Sequence, residues 1–520
     1  MWQNAKDRLT LHWPELLLSV VLAILSLAWL FSSAPLSAPD EAAHILVPRE
    51  MLLEHRLPVL TRTSDGWENH QPPLYYVLST PFVWASQHMS LYHQIQFDRL
   101  TSFFLFLLSI VAVIRISWLL WPSHRMARVA MLSSLGIPMV VYSSGSFNND
   151  ILALTISCWL LFLAVSKKKV FGPRNAIILG VCIGAGLLTK VNMYPYLAVM
   201  GLWMLWRQSW KWWLLCIVTS MVVSGWWFVH NITQVGDVLG IKYATTFFLS
   251  QHQDITSLSV FRSFLEKTLA SFIGLFGKLN IRLPIAWYVA TYGMLIGACM
   301  LGFRRPWSAI QKVLGITAIV MFAGYLWQNS EIFQPQGRYL ISVIPLFGCV
   351  YGYAVNRIDR RYMWIVGVWL ALLLYGNIAG MQSTRAYERQ NGSSMWSYPR
   401  TIDGATEIHA LRPKLLVRDS QGYSAHTPVK YIVGGDFLDT RRNIVVHIQT
   451  AEVAPLQVRV EWRIAGQRWY TEERSYETTV VGSASLPISE VQSTGLIGVR
   501  LSFLDTDRTI RISSLDVLAQ

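Results

Sequence analysis

Charge is what this sequence has least of. Only 14% of its 520 residues are Asp, Glu, Lys or Arg, while 53% are hydrophobic, a balance that excludes an ordinary cytosolic enzyme and a disordered chain. Cysteine is scarce too. Cys158, Cys182, Cys216, Cys299 and Cys349 all lie inside apolar runs, and no pair has metal-ligand spacing, so they read as small buried apolar residues. Internal repeats and low-complexity segments are absent, which excludes a repeat architecture.

Apolar length and aromatic side chains are plentiful instead. The 23 Trp, 21 Tyr and 22 Phe fit a polytopic membrane protein, because aromatic rings collect at the two water–lipid interfaces. Stretches read as long enough to cross a hydrocarbon core of about 30 Å recur at 14–33, 100–121, 127–143, 150–166, 175–190, 194–207, 212–229, 286–302, 310–328, 339–355 and 362–381. The sequence therefore predicts about eleven transmembrane helices.

Residues 1–381 hold 28 Lys and Arg against 15 Asp and Glu, whereas residues 382–520 hold 16 against 15. The net charge of +14 thus belongs to the apolar part and is a topology signal; it needs no nucleic-acid partner. The loops 123–128, 166–174, 207–211, 304–312 and 357–361 are short and basic, as cytoplasmic loops should be, and Lys6 and Arg8 put the amino terminus on the same side. The first apolar run reads as an anchor helix rather than a cleaved signal. Loops 34–99, 144–149, 191–193, 230–285 and 329–338, and everything after 381, then lie outside. Leu74–Met89 is apolar but broken by Pro81. Counting it as a span would put Lys167, Lys168 and Lys169 outside, so it reads as a helix lying on the outer surface.

After 381 the pattern changes to short alternating runs, Lys414–Asp419, Val429–Val433, Asn443–Gln449, Leu456–Ile464, Gly495–Phe503 and Thr509–Leu518, separated by Gly, Asp and Ser. This predicts two units: a transmembrane domain over 1–381 and an extracytoplasmic antiparallel β-sandwich over 382–520.

A transporter should carry ionisable residues at mid-bilayer. Here the middle of the spans offers only Arg115 and a few Ser and Thr, and the ionisable residues gather in the outer loops. Pro39-Asp40-Glu41-Ala42-Ala43-His44 follows the first span. Two carboxylates at a helix start meet its positive end and stay ionised, which suits a general base just above the membrane. Alternatively, Asp40 merely caps the helix and Glu41 decorates its first turn. Topology brings further polar clusters to the same side: Glu68-Asn69-His70-Gln71-Pro72-Pro73-Leu74-Tyr75-Tyr76, Asn148-Asn149-Asp150, Lys190-Val191-Asn192 and Gln334-Pro335-Gln336-Gly337-Arg338-Tyr339. An outward Arg338 at a span's start runs against the charge bias and calls for an anionic partner.

Taken in order, the Asp-Glu pair, His-Gln-Pro-Pro-Leu-Tyr-Tyr, Asn-Asp opening a span, Thr-Lys ending another and Gln-Gly-Arg-Tyr opening a late one resemble the GT-C superfamily of glycosyltransferases, which includes protein O-mannosyltransferases and aminoarabinose transferases. Ser271–Asn280 adds a likeness to a bacterial family of predicted membrane proteins. The resemblance covers about residues 10–380 and not the β-rich tail.

It implies a GT-C-like architecture in a bacterial inner membrane and transfer of a sugar from a polyprenyl phosphate or diphosphate carrier to an envelope glycan, lipid or protein acceptor, with inversion. By the same resemblance Asp40 is the base with Glu41 beside it, Asp150 is the second acidic position, and Arg338 and Lys190 hold the donor phosphate. His70, Gln71 and Tyr339 join the donor side, and His44 and Asn149 complete the candidate site. The chain departs from the aminoarabinose transferases in having Gln71 where they have Lys before Pro-Pro, and Asn149-Asp150 is not an Asp-X-Asp. A set of Asp40, Glu41, Asp150 and His44 is compatible with Mg²⁺ or Mn²⁺ and equally with no metal. Two other classes stay open at this point, a flippase of lipid-linked sugars and a non-catalytic scaffold for polysaccharide assembly.

Overall fold

The computed structural model describes residues 2–33, 37–60, 68–87, 89, 91–166, 172–206, 208–247, 253, 255–303 and 307–391, together with the strands and short turns of the tail between 401 and 519. Seventeen helices are present among them: α1 Trp2–Ser32, α2 Glu41–Glu54, α3 Leu74–Ser86, α4 Leu91–Asp98, α5 Leu100–Leu120, α6 Arg125–Ser133, α7 Pro138–Ser144, α8 Asp150–Ser166, α9 Pro173–Leu187, α10 Tyr194–Leu205, α11 Trp210–Val235, α12 Ile241–Phe247, α13 Leu258–Ile273, α14 Ile285–Gly302, α15 Ala309–Glu331, α16 Ile344–Val355 and α17 Trp364–Asn391.

Each apolar run of the sequence is helical in place, but the runs differ as spans. Among the described residues, seven helices are long and apolar enough to cross a membrane. An eighth span results if α6 and α7 are taken together, whereas α8, α9 and the segment Val191–Leu205 are shorter apolar helices. The bend between α6 and α7 is 60° and has a local cause. Pro138 excludes the helical region for the residue before it, and Ile137 accordingly adopts φ −53°, ψ 124°. The segment expected on the outer surface is α3, with 13 residues too short to cross and with Tyr75, Tyr76, Ser79, Val83 and Ser86 buried.

Two close helix contacts organise the bundle. α5 lies against α8, where Ser109 Oγ and Thr155 Oγ1 meet at 2.9 Å. α9 lies against α11 through glycines: a Cβ on Gly180 would come within 2.6 Å of the Cys216 carbonyl oxygen, and one on Gly184 within 2.7 Å of Val223 Cβ. Small residues at this spacing are how helices approach closely without water to drive them together. At the other end of the bundle, buried Arg128 pairs with Glu15 at 2.5 Å and stacks 3.7 Å from the Trp118 ring, tying α6 to α1.

In the tail, Ser475–Val480, Leu456–Ile464, Leu496–Phe503 and Val429–Gly434 form one antiparallel sheet in that order. Ser483–Ile488, Ile444–Thr450 and Thr509–Ala519 begin the other, whose long last strand also pairs with Gly422–His426 and Ala405–Ile408. Val446 and Ile448 in one sheet and Val458, Val460 and Trp462 in the other are buried at alternate positions, as in strands that turn one face inward. The described parts of the expected runs are strands, residues 414–416, 443 and 495 lying outside the described residues, and Ser475–Val480 and Ser483–Ile488 are two further strands, one in each sheet.

Candidate functional site

Asp40 stands at the head of α2 with φ 59° and makes no side-chain capping hydrogen bond. Asp tolerates this left-handed conformation better than most residues. Its carboxylate instead accepts a hydrogen bond from Arg338. The guanidinium of Arg338 also donates to Asp150 Oδ2 at 3.3 Å, to the Pro39 carbonyl at 3.4 Å and to Gln336 Oε1 at 2.7 Å. Lys190 Nζ donates to Asp150 Oδ1 at 2.6 Å and to Asn149 Oδ1 at 3.2 Å. Charges therefore alternate along one row, Asp40, Arg338, Asp150, Lys190. Tyr339 lies under both cations, its ring centre 4.6 Å from Lys190 Nζ and 5.3 Å from the Arg338 guanidinium carbon.

Local structure explains how distant segments meet. Asp150 opens α8, and the Asn148 side chain takes its backbone N–H at 3.1 Å, which leaves the Asp150 carboxylate for the cations. The Pro-Pro turn before α3 is tied to the Lys190 turn by the Leu74 N–H donating to the Leu188 carbonyl at 2.8 Å. Arg338 is the second residue of the 3₁₀ segment Gly337–Val343, which is pressed onto α13: Gly337 N–H donates to Ser271 Oγ at 2.7 Å.

A cavity of about 620 Å³ opens on this row, lined by Asp40, Glu68, His70, Gln71, Lys190 and Tyr339 and, across from them, by Lys267, Leu279, Phe333 and Gln336. Gln71 Nε2 and His70 Nε2 lie 3.2 Å apart in its wall. Of the sequence candidates, Asp40, Lys190, His70, Gln71 and Tyr339 are thus brought together, with Arg338, Asp150 and Asn149 directly behind them.

Two predicted residues are placed elsewhere. Glu41 is fully buried and receives both arms of a bidentate Arg99, at 2.7 and 2.8 Å, plus the Phe147 N–H at 2.8 Å. Arg99 also donates to the carbonyls of Leu30 and Ser33 at 2.9 and 2.8 Å. Glu41 does not line the cavity; it ties α2 to α1, α5 and the turn before α8. His44 lies behind the wall, its Nδ1 2.8 Å from the Tyr76 hydroxyl. Burial, reinforced by Lys190, Arg338 and His70, holds its pKa well below the ordinary value, so it is neutral.

Three charged residues in the wall were given no role from sequence. Lys267 and Lys278 come from α13 and the small hairpin of Leu275–Phe276 with Ile281–Arg282; they carry no motif of their own. Glu68 belongs to the quoted polar cluster, but nothing in its neighbours marks it. Burial, and then the charge of Asp40, raise its pKa to about 8. Among the described residues no group of three or more His, Cys, Asp or Glu is arranged to hold a metal. Asp40 and Asp150, which would supply the carboxylates, already share the guanidinium of Arg338.

No protein-family model matches this sequence, and no curated protein does. Solved structures do. The crystal structure of ArnT from Cupriavidus metallidurans bound to undecaprenyl phosphate is 16% identical, covers 73% of this chain and 79% of that one, and superposes with a TM-score of 0.51. Apo ArnT from the same organism is 18% identical over 72% of this chain and 74% of that one, with a TM-score of 0.46. Over about three quarters of its length the chain thus has the fold of ArnT, an aminoarabinose transferase of the GT-C type.

Proposed function

We propose that this protein is a membrane glycosyltransferase of the GT-C type that takes a sugar from a polyprenyl-phosphate carrier and passes it to a hydroxyl-bearing acceptor on the non-cytoplasmic face, with the tail 382–520 as an extracytoplasmic accessory unit. The observation that carries the reading is a cavity in which the Asp40 carboxylate is paired to a buried guanidinium, with Lys190, Lys267 and Lys278 in the same walls. ArnT, whose fold the chain shares, binds undecaprenyl phosphate.

The ion pair suggests an order of events. A donor phosphate entering the cavity competes with Asp40 for Arg338 and with Asp150 for Lys190, and a guanidinium fork suits a phosphate well. Asp40, released from Arg338, then takes the proton of the acceptor hydroxyl. The acceptor oxygen attacks the anomeric carbon, the bond from that carbon to the phosphate oxygen breaks, and its electron pair leaves with the phosphate, stabilised by the same cations. Direct displacement inverts the anomeric configuration. Glu41, His44 and Tyr76 support the geometry from behind and touch neither reactant.

Incubating the purified protein with polyprenyl-phosphate sugars and an acceptor glycan tests this. Release of the carrier phosphate with sugar in the acceptor is the expected result. Movement of intact lipid-linked sugar between leaflets, with no cleavage, would sink the reading in favour of a flippase.

A further inference from the structure

Glu68 is the one carboxylate in the cavity wall that the scheme above does not use. Only a tenth of its side chain is exposed, and that part faces the cavity. Among the described residues its Oε2 has no hydrogen-bond partner. The surrounding groups are already engaged. His44 Nδ1 stands 4.0 Å from Oε2 but bonds the Tyr76 hydroxyl. Asn69 Nδ2 is held by Glu50 at 2.9 Å, and Lys190 and Arg338 are held by Asp40, Asp150 and Asn149. A buried polar oxygen left without a partner is costly, and such a group in a cavity wall points to a ligand that completes it.

The chemistry of that ligand group follows from the surroundings. At neutral pH Glu68 keeps its proton, so it offers one donor and one acceptor. A phosphate is acceptor-rich and would bring a second negative charge beside Asp40. An ammonium would meet Lys190 and Arg338 across the same wall. A hydroxyl, which donates and accepts like the carboxyl itself, fits. Resting on the transferase reading, we propose that Glu68 is a substrate-binding residue that holds a sugar hydroxyl in the cavity beside Asp40. The hydroxyl belongs either to the donor's sugar or to a sugar acceptor.

Binding to the full chain in nanodiscs tests this with two kinds of probe, bare undecaprenyl phosphate and undecaprenyl phosphate carrying glucose, N-acetylglucosamine or arabinose. Glu68→Gln keeps a neutral donor and acceptor and should behave as the unaltered chain does. Glu68→Leu should bind the bare carrier normally but the sugar-linked carrier about tenfold more weakly, the worth of one neutral hydrogen bond. If the hydroxyl is the acceptor's, both lipids bind normally and the KM for methyl glycoside acceptors rises about tenfold instead.

Unchanged affinity and KM in Glu68→Leu overturn the proposal, and so does an equal loss in Glu68→Gln. Glu68→Met replaces the Leu variant should that chain fail to fold. If the unaltered chain does not bind undecaprenyl phosphate, the transferase reading fails by itself. Glu68 is then judged by carbodiimide, which modifies neutral carboxyls: labelling suppressed by methyl glycosides keeps the hydroxyl site, whereas absent or indifferent labelling removes it.

Discussion

Asp40 sits where a capping residue would, with φ 59° and no capping hydrogen bond, so the bland explanation for an acidic residue at a helix start does not apply to it. Asp40→Asn keeps the shape and the tolerance for this backbone conformation while removing the proton acceptor. Normal insertion and carrier binding are expected, with sugar transfer slower by at least ~10²-fold in a turnover assay; transfer at the original rate would remove Asp40 from the chemistry. Gly337 is glycine because its backbone is pressed directly onto α13. A Cβ there would lie 2.1 Å from the Thr268 carbonyl oxygen and 2.6 Å from the Phe272 nitrogen, both backbone atoms of α13. Gly337→Ala should therefore cost about 1–3 kcal/mol or more of stability, read as a lower Tm. Glu68 makes a pH prediction whose sign is fixed by its raised pKa. The folded chain keeps a proton that the unfolded chain has lost, so this contribution is full below about pH 4.5 and disappears as pH rises to about 8. Over that window Tm should fall less steeply in Glu68→Gln than in the unaltered chain.

Elements are held by buried polar clamps as much as by apolar packing. The Arg99–Glu41 pair joins the end of α1, the start of α2, the start of α5 and the turn before α8, and Asp40 is the residue next to it. Removing one partner strands a buried charge, so Arg99→Met should lose about 3–5 kcal/mol, and the double change Arg99→Met with Glu41→Leu should recover much of that loss. Thermal unfolding of the four chains of the cycle measures it; an Arg99→Met chain as stable as the unaltered one would show that the pair does not hold the elements together. The close approach of α9 to α11 at Gly180 and Gly184 is the apolar counterpart. It was legible as a small-xxx-small pattern, yet a reading directed at span counts and charges passes over it.

At the scale of the whole molecule the question is which side of the membrane each loop faces. The charge bias assigns the basic loops to the cytoplasm, and the cavity lies among residues of the loops assigned to the opposite side. A cysteine replacing Ser123 should stay unreactive to an impermeant thiol reagent in intact cells, whereas one replacing Ser420 should react. Labelling at Ser123 with the membrane intact would invert the topology.

The sequence by itself determined that the chain is a multi-pass helical membrane protein with a strand-rich tail, because apolar length and alternation are local properties of consecutive residues. Ordered motifs also picked out residues that meet in space: Asp40, His70, Gln71, Lys190 and Tyr339 line a common cavity, and Arg338 and Asp150 lie behind it. Roles within the site were not local. Glu41 carries a carboxyl like its neighbour Asp40, but successive residues of a helix start point in different directions, and only packing against α5 turned Glu41 onto Arg99. Glu68, Lys267 and Lys278 acquire meaning only as neighbours of residues far along the chain. Burial and the field of Asp40, not anything in the surrounding sequence, make Glu68 a neutral acid at physiological pH. Segment identity is written in hydropathy, which short stretches carry by themselves; the protonation and partnering of a side chain are decided by which distant charges and walls the tertiary structure brings to within a few ångströms.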